Sequence, residues 1–343
     1  MPRCHAIFIE EPIEHQFPGF RIDTPVREFP LWGNFHVGDV QALSNATDQS
    51  YHIFSVATPE DLGSVFESLR GAGTTDTLII GRTGNVIALD WHKVCAASYP
   101  RGITKLHVGK APSDLYVVGK RRFEGMLKEI DASINWTGDS FSRMLFDELF
   151  FHRFDRIYEV GGHSYLLRNA TEYFRENLNL LSYLKDQDFL DLYGRLEQTH
   201  TAKVIIAEGG VVRNSILGAG SRVRGEVEDS LISHNVYVAR GARVRNCVIL
   251  PFNVIEERAL LEHTLVLGGK DAAVERDVRI GGTDAVSNKE HPQALKNGLT
   301  VIGQGMTVPR GSQIGAGCLV YGKMEKRLTK PLHLEDGASY RAR

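Results

Sequence analysis

Cysteine is scarce in this chain of 343 residues, with Cys4, Cys95, Cys247 and Cys318 its only representatives. No two stand at the spacing of a metal knuckle or a redox motif, which excludes a cysteine-based zinc site or a disulfide scaffold and predicts four reduced thiols in a cytosolic protein. An excess of one charge is also missing. Forty Lys and Arg against 42 Asp and Glu leave a formal charge of -2, so no global field draws the chain to nucleic acid or to an anionic membrane, and neither is expected as a partner. Any anion site must be local. Long apolar runs are absent too: nothing approaches the roughly 18 consecutive apolar residues of a membrane span. The stretch from Met1 to Glu10 lacks the apolar core of a secretory signal, so the expected location is the cytoplasm.

What is present is a repeat. Ile232, Val238 and Val244 are six apart, as are Ile249, Ile255 and Leu261, and again Ile302, Val308, Ile314 and Val320. A longer echo overlies this period, because Asn214-Ser215, Asp229-Ser230, Asn246-Cys247 and His263-Thr264 follow one another at 15, 17 and 17 residues. Three hexapeptides therefore make one coil. Each is a short strand and a corner, with one aliphatic residue pointing into a prism and glycines such as Gly220, Gly241, Gly311 and Gly317 at the bends. Stacking buries the apolar rows and pairs each coil's backbone with the next. The pattern predicts a left-handed parallel β-helix from about Val204 to Val320. Residues 283–300, containing Asn288-Lys289-Glu290-His291-Pro292, read as a loop thrown out of it, and the segment from Lys323 to Arg343 reads as a terminal cover.

The first half alternates strand and helix patterns. Strands are predicted over Cys4–Ile9, Tyr51–Val56, Thr77–Ile80 and Leu115–Val118, and helices over Pro59–Arg70, Trp91–Ala97, Arg121–Ile130 and about Ala170–Leu190. The fold expected is an α/β domain over 1–195 followed by the β-helix over 196–343, with the boundary near Gly194–Lys203.

Local sequences then point to a family. Val212-Arg213-Asn214-Ser215, Arg224-Gly225-Glu226-Val227-Glu228-Asp229-Ser230 and Arg240-Gly241-Ala242-Arg243-Val244-Arg245-Asn246-Cys247-Val248-Ile249 closely resemble the β-helix of bacterial ADP-glucose pyrophosphorylase. Arg27 to Asn45, Ser68-Leu69 with Gly71 and Gly73, and Glu172 to Leu181 are similar to three stretches of that family's catalytic domain. The resemblance implies an abbreviated, Rossmann-like nucleotidyltransferase domain. It also implies a reaction in which glucose 1-phosphate attacks the α-phosphorus of ATP and releases pyrophosphate, with magnesium as the cofactor of any active member.

The parts that reaction needs are not found where the resemblance puts them. A glycine-rich phosphate loop should follow Ile7-Phe8-Ile9, yet Glu10-Glu11-Pro12-Ile13-Glu14 stands there, and three carboxylates repel a triphosphate. A new metal site made by Glu10, Glu11 and Glu14 is the alternative to plain solvated acids. The first metal aspartate falls at Arg82 or Gly84, depending on the gap, and Asp90 matches a later acid. The second falls in Gly162-His163-Ser164-Tyr165-Leu166-Leu167-Arg168-Asn169, which has no carboxylate. No sugar-phosphate lysine motif is visible, and about 190 residues precede the β-helix, fewer than the family's catalytic domain carries.

No catalytic residue, metal ligand or cofactor is therefore assigned. The resemblance implies a non-catalytic regulatory or scaffolding relative in glycogen biosynthesis, whose partner is a catalytic pyrophosphorylase subunit or another copy of itself. An active glucose-1-phosphate adenylyltransferase with a rebuilt site stays open. So does a hexapeptide acyltransferase, for which His234, His263 and above all His291 are candidate bases. Arg213, Arg222, Arg224, Arg240, Arg243 and Arg245 crowd the first coils amid few acids. With Arg27 they are the candidate phosphate-binding residues for a sugar-phosphate or nucleotide effector, set against solvated corners. His152, His163 and Trp136 occur singly and read as packing or surface.

Overall fold

A computed structural model describes residues 4–9, 16–21, 24, 26–33, 35–38, 53–56, 59–68, 76–89, 91–96, 102–109, 111–129, 138–186, 202–269, 272–322 and 328–342, and the statements below refer to these. Outside them lie Glu10, Glu11 and Glu14, Asp90, Trp136 and the expected boundary region up to residue 201. The contacts divide the chain into one unit of Met1–Pro12, Pro25–Arg27 and Val37–Leu167, and a second of Ile13–Thr24, Glu28–His36 and Arg168–Arg343.

Ten strands precede the β-helix: β1 (Cys4–Ile9), β2 (Pro30–Leu31), β3 (Phe35–His36), β4 (Ile53–Val56), β5 (Thr77–Arg82), β6 (Asn85–Leu89), β7 (Ile103–Val108), β8 (Ala111–Gly119), β9 (Arg156–Val160) and β10 (Gly162–Leu166). In the first unit they form a mixed sheet in the order β4-β1-β5-β8-β7-β9, with β6 and β10 as a separate antiparallel pair. β1 is buried along its whole length, as a central strand covered on both faces must be. Its alternate residues serve two cores. Ile7 and Ile9 join Leu78, Ile80, Tyr116, Phe123 and Phe150 on one side, while Ala6 and Phe8 join Ile79, Leu106, Leu115 and Val117 on the other. Helices α1 (Pro59–Ser68), α2 (Trp91–Ala96) and α3 (Lys120–Leu127) lie where the alternating pattern put them, whereas α4 (Gly138–Arg143) and the single turn α5 (Phe151–Arg153) were missed by it. The unit is the abbreviated Rossmann-like domain of the sequence reading. One expectation needs correction: Cys4 on β1 and Cys95 on α2 are joined as a disulfide across 91 residues, because the fold lays α2 against the start of β1. Cys247 and Cys318 are free and buried.

In the second unit three parallel sheets form the faces of a prism. The first stacks Ile205–Ile206, Arg222–Val223, Tyr237–Val238, Val254–Ile255, Ala273–Val274 and Thr307–Val308. The second runs from Val211–Arg213 through Glu226–Glu228, Arg243–Arg245, Leu260–Glu262 and Arg279–Gly281 to Gln313–Ile314. The six-residue rows are the inward residues: Val223, Val244, Ile249, Ile255, Leu261, Val308 and Val320 share one core. The prism also continues past Val320. His333–Leu334 stacks on Gln313–Ile314, and Ser339–Ala342 on Leu319–Gly322, so the expected terminal cover is a further coil.

The longer echo marks one corner. Asn214, Asp229, Asn246 and His263 all have positive φ, between 41° and 48°, a left-handed bend that Asn and Asp tolerate better than most residues. Their side chains bond down the stack, Asn214 Nδ2 to Asp229 Oδ1 at 2.6 Å and Asn246 Nδ2 to His263 Nδ1 at 2.7 Å. The following residue turns inward and closes the bend, as where Ser230 Oγ donates to the Glu228 carbonyl at 2.6 Å and accepts from Cys247 N at 3.0 Å. Burial pushes the Cys247 thiol up to about 12, so it stays a protonated, inert core group.

His263 is the one histidine of the ladder. Burial holds its pKa below the ordinary value of 6.5, opposed by a bond to the Asn297 carbonyl and by Glu262. A depressed folded pKa means that the neutral ring's contribution is whole above 6.5 and is lost as pH falls from there through the folded value. We expect His263→Asn, which continues the Asn ladder, to narrow the drop in melting temperature between about pH 7.5 and about pH 5 relative to the native chain. An equal drop in both would show that His263 is not the sensor.

The third face, unlike the others, is roofed. Its outward residues Leu231, Val248, Leu265, Val301 and Leu319 are buried. Helix α6 (Ala170–Tyr183) and the segments Ile13–Thr24 and Glu28–His36 belong to the same unit, and the helix with the described residues of those segments supplies the roof, with Gln304 N donating to the Gly19 carbonyl at 2.9 Å and His234 N to the Gly33 carbonyl at 3.1 Å. α6 starts at Asn169, whose side chain caps Glu172 N at 2.9 Å while Glu172 accepts from Arg168 N at 3.0 Å, a reciprocal cap. Tyr173 bonds the Pro30 carbonyl, and Asn177 accepts from Trp32 N at 2.9 Å. Phe17, Phe20 and Phe29 pack around Tyr173 or one another. A cut at 195/196 would sever α6 and these segments from the apolar face they cover, which is why the second unit begins earlier than the repeat does.

The loop over 283–300 is packed on the prism and not thrown clear. Asn288 is 1% exposed; its Nδ2 donates to the carbonyls of Gly317 at 3.0 Å, Gly337 at 3.3 Å and Ala338 at 3.3 Å. Its Oδ1 accepts from the backbone of Glu290 at 3.0 Å and His291 at 2.9 Å. At the other side of the loop Thr171 of α6 bonds the Ala294 carbonyl at 2.9 Å.

Candidate functional site

In an α/β sheet ligands gather at the carboxyl ends of the parallel strands, here the ends of β1 and β5, where Ile9 pairs with Arg82. Gly81 and Gly84 flank the turn because a Cβ would meet Leu115 Cδ2 at 2.7 Å in the first case and the Leu167 carbonyl at 2.7 Å in the second. Arg82 therefore ends β5 in a fixed place, its side chain only 11% exposed. Its guanidinium meets Asp147 at 2.9 Å, Asp114 at 3.4 Å and Ser142 Oγ at 3.3 Å, and lies 4.5 Å above the centre of the Phe146 ring. Asp147 and Phe146 come from a π-helical segment, Met144–Phe150, that continues α4, a local form common at functional sites.

Beside this cluster Tyr116 of β8 pairs with Ile80 of β5 and Lys105 of β7. Burial, and then the Asp114 carboxylate, holds the Tyr116 hydroxyl far above the ordinary tyrosine range, with Arg82 opposing. Lys105 is 8% exposed. Its Nζ stands 5.7, 5.2 and 5.6 Å from the ring centres of Tyr116, Phe151 and Phe154, a cation held by ring faces.

The metal chemistry implied by the resemblance does not fit these residues. Arg82, which with Gly84 is one of the two residues that fall at the place of the expected aspartate, already engages both neighbouring carboxylates, so a divalent cation there would face a fixed positive charge at close range. Asn169, in the stretch of the second expected aspartate, is used as the cap of α6. Among the described residues no group of three or more His, Cys, Asp or Glu is disposed to hold a metal. Asp114, Asp147, Ser142, Lys105 and Tyr116 escaped the sequence reading. Asp114 stands one residue before a predicted strand, and Asp147 lies in a stretch to which no element was assigned.

The candidate arginines are scattered. Arg27 belongs to the first unit and the other six to the second. Arg222 is on the first face, Arg213, Arg243 and Arg245 are on the second, and Arg224 and Arg240 sit at the corner between them. The scarcity of acids was misjudged: Arg243 pairs with Glu226 at 3.3 Å, and Arg245 with Glu228 and Glu262 at 3.8 Å each. Among the described residues Arg213, Arg222, Arg224 and Arg240 have no ion pair. The candidate histidines lie on separate elements: His234 packs edge-on to Phe252, His263 to Phe174, and His291 to Tyr321. No carboxylate among the described residues orients His291 as a general base. No described helix is long and apolar enough to cross a membrane.

Comparison with known proteins gives these features a context. A family model described as GlmU-like, C-terminal hexapeptide matches residues 200–302. The chain is 30% identical over 166 residues to the glucose-1-phosphate adenylyltransferase of Desulfitobacterium hafniense, over 47% of this chain and 40% of that protein. It is 26% identical over 165 residues to the enzyme of that name from Acetivibrio thermocellus, covering 48% of this chain and 38% of that one. For the one from Pseudothermotoga lettingae the figures are 29% over 182 residues, 52% and 43%. The matches span less than half the length of each relative. Over about half of its own length, then, the chain is similar to glucose-1-phosphate adenylyltransferases.

Proposed function

We propose that this chain is a non-catalytic regulatory or scaffolding member of the ADP-glucose pyrophosphorylase family, acting in cytoplasmic glycogen biosynthesis by assembling with a catalytic pyrophosphorylase subunit or with another copy of itself. Arg82 carries the reading. Attack of a sugar phosphate on the α-phosphorus of a nucleotide builds negative charge that a metal and free basic groups must neutralise. At the end of β5 the basic group is already bonded to Asp114 and Asp147, and both neighbouring carboxylates are used by it. The reaction would have to break this cluster before it could use any member.

Purified chain given glucose 1-phosphate, ATP and magnesium is expected to release no pyrophosphate above the background of the reagents, and turnover at about 1 per second or faster would sink the reading. Added to a full-length pyrophosphorylase of the same organism, it is expected to co-elute with that enzyme and to change its response to a phosphorylated sugar. Of the candidate effector residues, Arg224 and Arg240, which share one corner, are the pair through which a phosphate would act.

A further inference from the structure

A buried ammonium needs acceptors for its three N–H bonds as well as a field that opposes its charge. Lys105, 8% exposed on β7, has the second without the first. The rings of Tyr116, Phe151 and Phe154 around its Nζ attract the charge, but a ring face takes no ordinary hydrogen bond. Among the described residues Nζ has no carboxylate, carbonyl or hydroxyl partner. Asp147 is held by Arg82 at 2.9 Å and Asp155 by Ile103 N at 2.7 Å, while the exposed Glu148 and Glu159 make no ion pair with it. The side toward water is apolar. Phe151, on the single turn α5, is 55% exposed, and Ile157 of β9 is 49% exposed. Ile157 pairs with Lys105 in the strand register, and paired residues of neighbouring strands project to one face of a sheet, so it stands beside Lys105 at the rim.

We propose that Lys105 and these rings form a binding site for a small organic monocarboxylate with an aromatic or short acyl body. The carboxylate takes the unused donors of Nζ in a charge-assisted pair, which the low local dielectric strengthens. The body lies against Phe151, Phe154 and Ile157 and removes their apolar surface from water. Phe151, the exposed wall, is the side chain that turns aside to admit it. Inorganic phosphate fits worse, because its second charge would be desolvated with a single cation to meet it and the rings offer nothing to its remaining oxygens. An uncharged molecule of the same shape leaves the ammonium as it was. The site lies within the first unit and uses none of the arginines considered for a phosphorylated effector. The inference therefore goes beyond the functional reading and stands without a regulatory role or a partner subunit.

Calorimetric titration of the full chain with sodium benzoate tests it, with benzamide as the uncharged isostere and inorganic phosphate as the hydrated anion. One benzoate is expected to bind per chain with a Kd of about 1 mM or tighter, and benzamide and phosphate at least about tenfold more weakly. Lys105→Met keeps an apolar stem among the rings and removes the charge, and it is expected to weaken benzoate at least about tenfold. Phe151→Ala is the second variant, since a side chain more than half exposed is not needed for folding; it is expected to weaken benzoate about fivefold while benzoate stays ahead of benzamide. Should Lys105→Met not fold, the native chain and Phe151→Ala still decide. A native chain that ignores benzoate, benzamide or phosphate that binds as well, or a folded variant that binds benzoate undiminished overturns the inference.

Discussion

Asn288→Asp destabilises the β-helix more than Asn288→Ala does, although aspartate is the closer match in shape. Alanine removes a buried hub and strands the amides of Glu290 and His291 together with the carbonyl of Gly317. Buried backbone groups left unpaired put the expected loss at about 3 kcal/mol. Aspartate keeps the acceptor for the two amides but turns an oxygen toward three carbonyls at 3.0 to 3.3 Å. That carboxylate is either charged against carbonyl dipoles or protonated with one donor where asparagine has two. Its deficit is therefore larger at neutral pH and shrinks in acid, whereas the alanine deficit does not change with pH. Urea unfolding at two pH values separates them, and equal losses would mean that the Nδ2 bonds contribute little.

Gly281→Ala should cost as much. The residue sits at φ +79, and a Cβ there would stand 1.9 Å from the Glu262 carbonyl oxygen and 2.7 Å from Thr264 Oγ1. The first obstacle is backbone of the neighbouring coil, paired through Glu262 and Gly281 in the second face, so it cannot yield without breaking that rung. The penalty expected is about 3 kcal/mol or more. Gly305 is the control: its φ is +73 with nothing within 4 Å of the added carbon, so Gly305→Ala carries only the left-handed strain of about 1 to 2 kcal/mol. Thermal melts that rank the two variants equally would show that conformation, not the close approach of coils, is what Gly281 answers to.

The prism was legible because its signal is local and repeated: one aliphatic residue in six faces inward, and the corner echo reports residues forced to positive φ. Even its missed end had left a trace, since Leu328, Leu334 and Tyr340 are six apart and pack against the same core, but the charged run after Val320 hid the resumption. What stayed hidden depends on distant partners. Nothing near Cys4 announces Cys95, and the aromatic residues Phe17, Phe20 and Phe29 carry no mark that they roof a sheet with α6. At the candidate site the sequence told where an aspartate was missing and that Arg82 or Gly84 stood there. It could not tell that the guanidinium would be bound by Asp114 and Asp147, because those acids come from a strand and a π-helical turn whose approach only the folded sheet creates.

The loop hub also gives the prism a direction. Repeat stacks open from their ends, one rung at a time. Here Asn288 staples the last coils together through Gly317, Gly337 and Ala338, while at the opposite end Ile205 and Ile206 are 48% and 55% exposed. One end is fastened and the other is loose, so fraying starts at Ile205 and travels toward the loop.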